Sequence, residues 1–490
     1  MLFSSVEYGL FVAATWLLYR LAGASCRVLV LLAASYLFYA SFQAYYLLLV
    51  IVLVTLTSYV AGLAIHREQR HKSRQRYLIA GVTSLVLILA GLKYLPFLFS
   101  NLNLLLSLLP DYTPLSSPPL LVTIGISYYT FQAIAYLSDV YLDIIPAESE
   151  LDVLALSYAF FPKLLQGPIE RGGHLLPQLK QPAFVCYADI RHGLLLFVWG
   201  LLLKGVIADN LATFVDPVYA SPADMDGGLL MMASYAYSWQ IFFDFSGYTA
   251  MALGVARLFG IRLSENFNQP YLATSIADFW RRWHMTFSRF ILDYIFKPLQ
   301  MRWRHKGTRA TALALLITFF VSGLWHGASW NFIVWGVLHG ALMVLAIYWR
   351  PWQKRWFSSL RIDNTPGLKC VQIVVTFHLI CLLWVFFRSA SIGDALVILE
   401  NIFQPTTPGA MLQLITEHLS SWQALRELLL DNPYLLIFAL VLTNPLTFRM
   451  SMAKLQDTPV FVRWPLYYLL IFTVLLMSND EDIAFIYLQF

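Results

Sequence analysis

The stretch AYYLLLVIVLVTLTSYVAGLAIHREQRHKSRQRYLIAGVTSLVLILAGLKYLPFLF, residues 44–99, decides the fold class of this chain. Its two apolar runs, 44–65 and 77–99, are each long enough to cross the roughly 30 Å hydrocarbon core of a bilayer as a helix. Between them lies HREQRHKSRQR, residues 66–76, with five Arg or Lys and one Glu. A short basic loop between two membrane-length segments is the signature of positive-inside topology, which assigns residues 66–76 to the cytoplasm.

The pattern repeats in both directions. Further apolar segments fall near 6–22, 28–42, 119–142, 152–166, 192–214, 228–258, 310–325, 329–348, 368–388, 432–446 and 461–478, giving about eleven to thirteen crossings once boundary error is allowed for. Composition agrees: 59% of residues are hydrophobic, 12% are charged, and mean hydropathy is +0.64. This is more apolar surface than folding in water requires, so the partner surface is membrane lipid. The formal charge of +5 resides in short loops, including 302–309 and 350–355, and signals topology, not nucleic acid. Cys26, Cys186, Cys370 and Cys381 form no C-x-x-C or Cys/His cluster, so neither a disulfide framework nor a metal site is expected. The opening residues MLFSSVEYGLFVAATWLLYR lack the basic region and cleavage pattern of a signal peptide and read as a first span. The expected fold is all-α and polytopic, one integral membrane domain over residues 1–490.

Two regions depart from simple spans. From Phe161, FPKLLQGPIERGGHLLPQL interrupts an apolar helix with Pro162, Gly167, Pro168, Gly172 and Gly173. Irregular backbone at membrane depth is tolerated only when buried in protein or lining a cavity. Residues 264–309 mix aromatic side chains with Asp278, Arg281, Arg282, Arg289 and Asp293. That mixture suits short amphipathic or re-entrant helices at the cytoplasmic interface.

An ionisable group in an apolar run costs about 2.5–3.5 kcal/mol to insert, which makes each one a candidate for function. His326 stands in TFFVSGLWHGASWNFIVWG. Neutral imidazole suits proton transfer, and on a continuous helix Ser322, His326 and Ser329 would share a face. The alternative is a structural histidine bonded to a backbone carbonyl. His339, thirteen residues on, falls on a different face and reads as structural. His284, in DFWRRWHMTFSR, shares a helical face with Arg281 and Ser288 and would suit an anionic ligand, but spacing alone favours an aromatic-belt residue, flanked as it is by Trp280 and Trp283. Asp244 in WQIFFDFSGY needs a counter-ion, for which an Arg or His is the natural candidate. Arg388, ending LLWVFFR, is explained by snorkelling. There is no phosphate loop, no G-x-S-x-G nucleophile elbow and no H-E-x-x-H. Paired half-helices of a transporter are not visible either.

Read together, IGISYYTFQAIAYLSDVY from Ile124, FPKLLQGPIER from Phe161, FFDFSGYTAMALG from Phe242, ENFNQPY from Glu265, FWRRWHMTFS from Phe279, SGLWHGASWNFIVWG from Ser322, WVFFR from Trp384 and FIYLQF from Phe485 resemble the membrane-bound O-acyltransferase (MBOAT) family, in its bacterial alginate O-acetylase type. The resemblance implies that His326 is the essential catalytic residue and that His284 is a second site residue. It also implies a multi-pass protein of the bacterial inner membrane that holds no bound cofactor and takes acetyl groups from a cytoplasmic donor, acetyl-CoA. The acceptor would be an extracytoplasmic polysaccharide, and an SGNH-type serine esterase-like partner would complete the transfer, which accords with the missing nucleophile elbow. In this picture Arg281 and Arg282, with Asp244 and Ser322, are donor- or substrate-binding candidates. One departure concerns the acceptor: Phe290, Ile291 and Leu292 stand where alginate-type enzymes carry Trp-Leu-Arg ahead of Asp-Tyr, and the loop that follows is basic, not glycine-rich. Cellulose, peptidoglycan or another exopolysaccharide therefore stays open as acceptor. D-alanyl transfer to teichoic acid, a solute transporter and a secretion-complex scaffold are the competing functions.

Overall fold

The computed structural model describes residues 1, 3–110, 112–119, 121–182, 184–363, 365–404, 458–478 and 485–486. Among these there are helices and loops but no strand. In chain order the helices are α1 (Val6–Leu21), α2 (Arg27–Ala40), α3 (Tyr46–Arg67), α4 (His71–Lys93), α5 (Leu95–Leu106), α6 (Ile126–Tyr141), α7 (Leu151–Ala159), α8 (Gly172–Lys180), α9 (Tyr187–Leu201), α10 (Asp209–Ala220) and α11 (Gly227–Leu258). Then come the short α12 (Ile276–Trp280), α13 (Met285–Ile291) and α14 (Lys297–Arg302), followed by α15 (Thr308–His326), α16 (Trp330–Ser359), α17 (Pro366–Arg388), α18 (Ile392–Asn401) and α19 (Val460–Met477).

Seven described helices are long and apolar enough to cross a membrane by themselves: α3, α4, the continuous helix from α9 to α10, α15, α16, α17 and α19. The other expected spans correspond to helices that are too short, as in α1, α2, α6 and α7, or too polar, as in α11, whose 32 residues are mostly buried inside the bundle. The expected span 432–446 lies outside the described residues. Two boundaries also move. α4 begins inside the basic loop and ends at Lys93, because Pro96 can only open a new helix, α5. α16 runs on past residue 348, so the 350–355 cluster rides on its last turns.

Glycines set two close helix crossings. Gly193 and Gly200 on α9 face Gly254 and Gly247 on α11, two pairs with the same seven-residue spacing. A Cβ on Gly200 would lie 2.5 Å from Gly247 O, and one on Gly254 2.5 Å from Gly193 O, so the backbones meet directly. Just beyond this crossing the helix widens into a π-turn, Leu202–Ala208, which carries Lys204. α15 and α16 form an antiparallel hairpin in the same manner: Gly323 packs on the Phe332 carbonyl and Gly336 on the Phe319 carbonyl.

Residues 160–171 are the buried irregular segment that the Pro and Gly punctuation foretold. Apart from a single 3₁₀ turn at Phe161–Lys163 they are non-helical, yet residues 160–170 are all buried. Leu164 O packs against Gly125, which has φ +72° just before α6, and Gly172 reaches Ile145 just beyond its far end. The chain thus traverses the protein alongside α6. Its backbone groups are met by side chains, as buried non-helical backbone requires. Phe161 N–H donates to Ser35 Oγ at 3.1 Å, Pro162 O accepts from the Tyr248 hydroxyl at 3.3 Å, and Ile169 N–H donates to Thr286 Oγ1 at 3.0 Å. Past this point Arg171 pairs with Asp293 at 2.8 Å, while the Tyr294 hydroxyl donates to Asp139 at 2.6 Å.

Candidate active site

His326 is the last residue of α15, and the helix stops there because Gly327 turns extended. A helix end leaves its final four carbonyls without intrahelical donors, and here all four are supplied. Gly323 O accepts from Gly327 N–H at 3.4 Å, and Leu324 O from the Tyr94 hydroxyl at 2.8 Å. Trp325 O and His326 O accept from Lys93 Nζ at 2.9 and 3.2 Å. The end of α4 thereby caps the end of α15, a cation placed on the negative pole of a helix.

The break at Gly327 overturns the face expected for Ser322, His326 and Ser329. Ser322 lies one turn below His326 and is fully buried, but Ser329 is the residue preceding α16. The hairpin instead brings up the wall of α16. Trp335 lies 5.0 Å from the His326 ring and 4.8 Å from that of His339. His339 accepts a hydrogen bond from Trp280 Nε1–H at 3.2 Å, which gives it a structural task.

His284 is buried and occupies a left-handed turn, φ +40° and ψ 56°, between α12 and α13. A non-glycine residue there is uncommon and is held by its surroundings. Two hydrogen bonds clamp the turn to residues 266–268: Met285 N–H to Asn266 O at 2.8 Å and Asn268 N–H to Arg282 O at 2.9 Å. Thr286 Oγ1–H donates to Asn266 Oδ1 at 2.6 Å while accepting from Ile169. The loop carrying ENFNQPY, the turn carrying RRWHM and the irregular segment are therefore one hydrogen-bonded unit.

This turn also overturns the helical face expected for Arg281 and His284. His284 points into the core, whereas Arg281 and Arg282 pair with Asp278 at 3.2 and 3.1 Å, with the Arg281 side chain 70% exposed. Burial raises the Asp278 carboxyl, but the bonds from Arg282, Thr274 and Arg281 outweigh it and hold the group below its ordinary value. Ser288 stays close to His284 through its amide, which donates to His284 O at 2.9 Å.

Aromatic rings join the two histidines. Phe287 lies 5.1 Å from the His284 ring and 5.5 Å from that of His326, and Trp325 lies 5.9 and 4.8 Å from the same two. A small, partly open cavity is lined by His326, Lys93, Thr123, Gly125, Ser127, Tyr128, Leu165 and Trp325. Its walls come from α4, α6, α15 and the irregular segment.

Asp244 sits elsewhere. Its counter-ion is not the Arg or His expected but Lys204, at 2.9 Å, which also binds Asp209 at 2.6 Å. The second Asp244 oxygen accepts from Ile486 N–H at 3.1 Å, tying the FIYLQF segment to α11. Arg388 likewise has a partner beyond snorkelling, Asp216 at 2.6 Å. Lys93 and Lys204 also meet the test applied to His326, an ionisable group in an apolar run, although no motif in the sequence marks them.

The sequence matches the family described as MBOAT, membrane-bound O-acyltransferase, over residues 152–387. It is 35% identical over 403 residues to the peptidoglycan O-acetyltransferase of Helicobacter pylori, covering 76% of this chain and 73% of that one. It is 36% identical over 390 residues to the probable alginate O-acetylase AlgI of Pseudomonas aeruginosa, covering 79% and 71%. The teichoic acid D-alanyltransferase of Bacillus subtilis is 31% identical over 278 residues, covering 54% and 68%. Two relatives above 30% identity that are matched over most of their length, together with the family match across α7 to α17, establish that this chain belongs to the membrane-bound O-acyltransferase family.

Proposed function

We propose that this acyltransferase takes an acetyl group from cytoplasmic acetyl-CoA, across the bacterial inner membrane, for O-acetylation of an extracytoplasmic polysaccharide or peptidoglycan. The observation that carries the reading is the meeting of His284 and His326 on Phe287 and Trp325. α4 and α15 both start in basic stretches, 66–76 and 302–309, and end at Lys93 and His326. With the basic ends inside, the His326 cavity faces away from the cytoplasm, and the 264–309 stretch lies on the donor's side.

In the reaction, the acceptor oxygen adds to the acyl carbonyl carbon while His326 takes its proton as general base. Collapse of the tetrahedral intermediate reforms the carbonyl and breaks the C–S bond, and the thiolate recovers the proton from His326. His284 orients the thioester from the other side, with Arg281 and Arg282 available to its anionic end. The acceptor hydroxyl belongs to the glycan itself or to the serine of an SGNH-type partner. His326→Ala should abolish transfer of label from acetyl-CoA to the glycan at unchanged membrane abundance; undiminished transfer refutes the proposal. The likeness to D-alanyltransferases supports a second reading, D-alanyl transfer to teichoic acid. Supplying labelled acetyl-CoA and a D-alanyl carrier protein in parallel separates the two.

A further inference from the structure

Lys93 is a buried amine, 7% exposed, that makes no ion pair among the described residues. Two of its three N–H donors cap Trp325 O and His326 O, and the side chain also lines the His326 cavity, where it is the single cationic group among the lining residues. A helix C-terminus presents roughly half a negative charge, so a full ammonium placed there leaves net positive potential in the cavity. Capping alone needs no charge, since the neighbouring Tyr94 hydroxyl satisfies Leu324 O as a neutral donor. The cap itself therefore does not require the charge.

We propose that Lys93 is a catalytic residue whose ammonium stabilises the negative charge that develops on the acyl carbonyl oxygen next to His326. This rests on the acyl-transfer reading above. When the acceptor oxygen adds to the carbonyl carbon, the displaced electron pair settles on the carbonyl oxygen; the third Lys93 N–H, on a buried side chain, faces that charge until the carbonyl reforms as the C–S bond breaks. The ammonium donates a hydrogen bond throughout and keeps its proton. One side chain then does two things: it fixes the backbone that carries the base, and it supplies the field for the intermediate that the base creates.

The test compares Lys93→Gln, which keeps a neutral donor for the carbonyls, with Lys93→Arg, which keeps the charge. Rates of acetyl transfer from labelled acetyl-CoA are measured in membranes holding the full chain and its acceptor system. Thermal unfolding of each purified variant in detergent normalises the rates to folded protein. The expected result is a fall in kcat of about a hundredfold for K93Q at near-constant KM, with most of the activity kept by K93R. Wild-type kcat per folded K93Q molecule overturns the proposal, as does an equal loss in K93R and K93Q. Should K93Q fail to fold, Lys93→Ala is titrated with ethylammonium and, separately, with ethanol. Rescue by ethylammonium alone supports the charge role, while equal rescue by both, or by neither, overturns it. His326→Ala is run alongside: an active H326A defeats the acyl-transfer reading itself, whereas a dead H326A with an unimpaired K93Q defeats the Lys93 inference alone.

Discussion

Lys204→Met separates a structural Asp244 from a substrate-binding one. Lys204 lies between two carboxylates, Asp209 and Asp244, and the three side chains are 2%, 9% and 1% exposed, so solvent screens none of them. Methionine keeps the stem but leaves both carboxylates in apolar surroundings without a cation. Breaking one buried pair from one side costs about 3–5 kcal/mol, and two stranded carboxylates put this variant at the upper end. Asp244→Asn is milder. Lys204 keeps Asp209, the asparagine oxygen still accepts from Ile486, and the loss is one charge-assisted bond, about 1.5–3 kcal/mol. Removing all three charges together, K204M/D209N/D244N, removes the desolvation problem, so this variant should regain at least half of what K204M loses. Unfolding in detergent orders the variants, and acetyl transfer per folded molecule is read in parallel. A triple variant no more stable than K204M refutes the reasoning. A D244N protein that is stable but turns over a hundredfold more slowly, by about 2.7 kcal/mol, returns Asp244 to the substrate site.

Three further expectations follow from the same geometry. Gly247→Val places a Cβ 2.9 Å from Gly200 O at the α9–α11 crossing, and overpacking there should cost about 1–3 kcal/mol or more, measured as lost thermal stability; Gly91→Val, with open space around it, is the control that should lose little. His284→Asn preserves a residue that tolerates the left-handed turn, so folded yield should hold while transfer falls by about a hundredfold; wild-type rates would end the case for His284 as a site residue. The hydrogen bond to Glu170 raises the His174 imidazole above its usual 6.5. Its stabilisation is complete below that value and is lost as pH rises through the higher folded value. The Tm gap between wild type and His174→Asn should therefore narrow with rising pH, and by little, since the ring is half exposed.

The membrane class and the buried break after Phe161 were legible from apolar length and from Pro and Gly punctuation, and motif resemblance singled out the two histidines that the fold brings onto the same aromatic rings. The partnerships of the site residues were not. Grouping Ser322 with Ser329, or Arg281 with His284, assumes an unbroken helix, and the chain breaks at Gly327 in one case and turns left-handed at His284 in the other. A histidine in that conformation has no sequence signal of its own, because the hydrogen bonds from Met285 and Thr286 to Asn266 that hold it come from a loop some twenty residues earlier. Lys93 and Lys204 were hidden differently. A lysine in an apolar run is ordinarily read as snorkelling, since its long stem can carry the charge toward water. Here both stems turn inward, one to the end of α15 and the other to two aspartates.

The candidate site is fastened where the backbone is least helical. Thr123, Gly125 and Leu165 line the cavity, Ile169 and Asn266 hold Thr286, Asn268 holds Arg282, and the Gly327 amide caps α15. A helix satisfies its own backbone and needs only an apolar face, so lipid-exposed elements are specified by composition alone. A non-helical stretch in the same surroundings must find each donor and acceptor elsewhere, and every partner is a constraint on a particular side chain. Ser35, Tyr248, Gln132 and Thr286 serve the irregular segment, and Tyr94 and Lys93 serve the end of α15. These residues never touch an acyl group on the proposed path, except Lys93, yet they set where the two imidazoles stand. It follows that Thr286→Val, which removes one hydroxyl and no volume, should slow transfer through a displaced His284 more than its stability cost of about 1–3 kcal/mol would predict. A Thr286→Val protein with wild-type kcat and reduced stability would show that the hydrogen-bonded unit supports the fold without positioning the histidine.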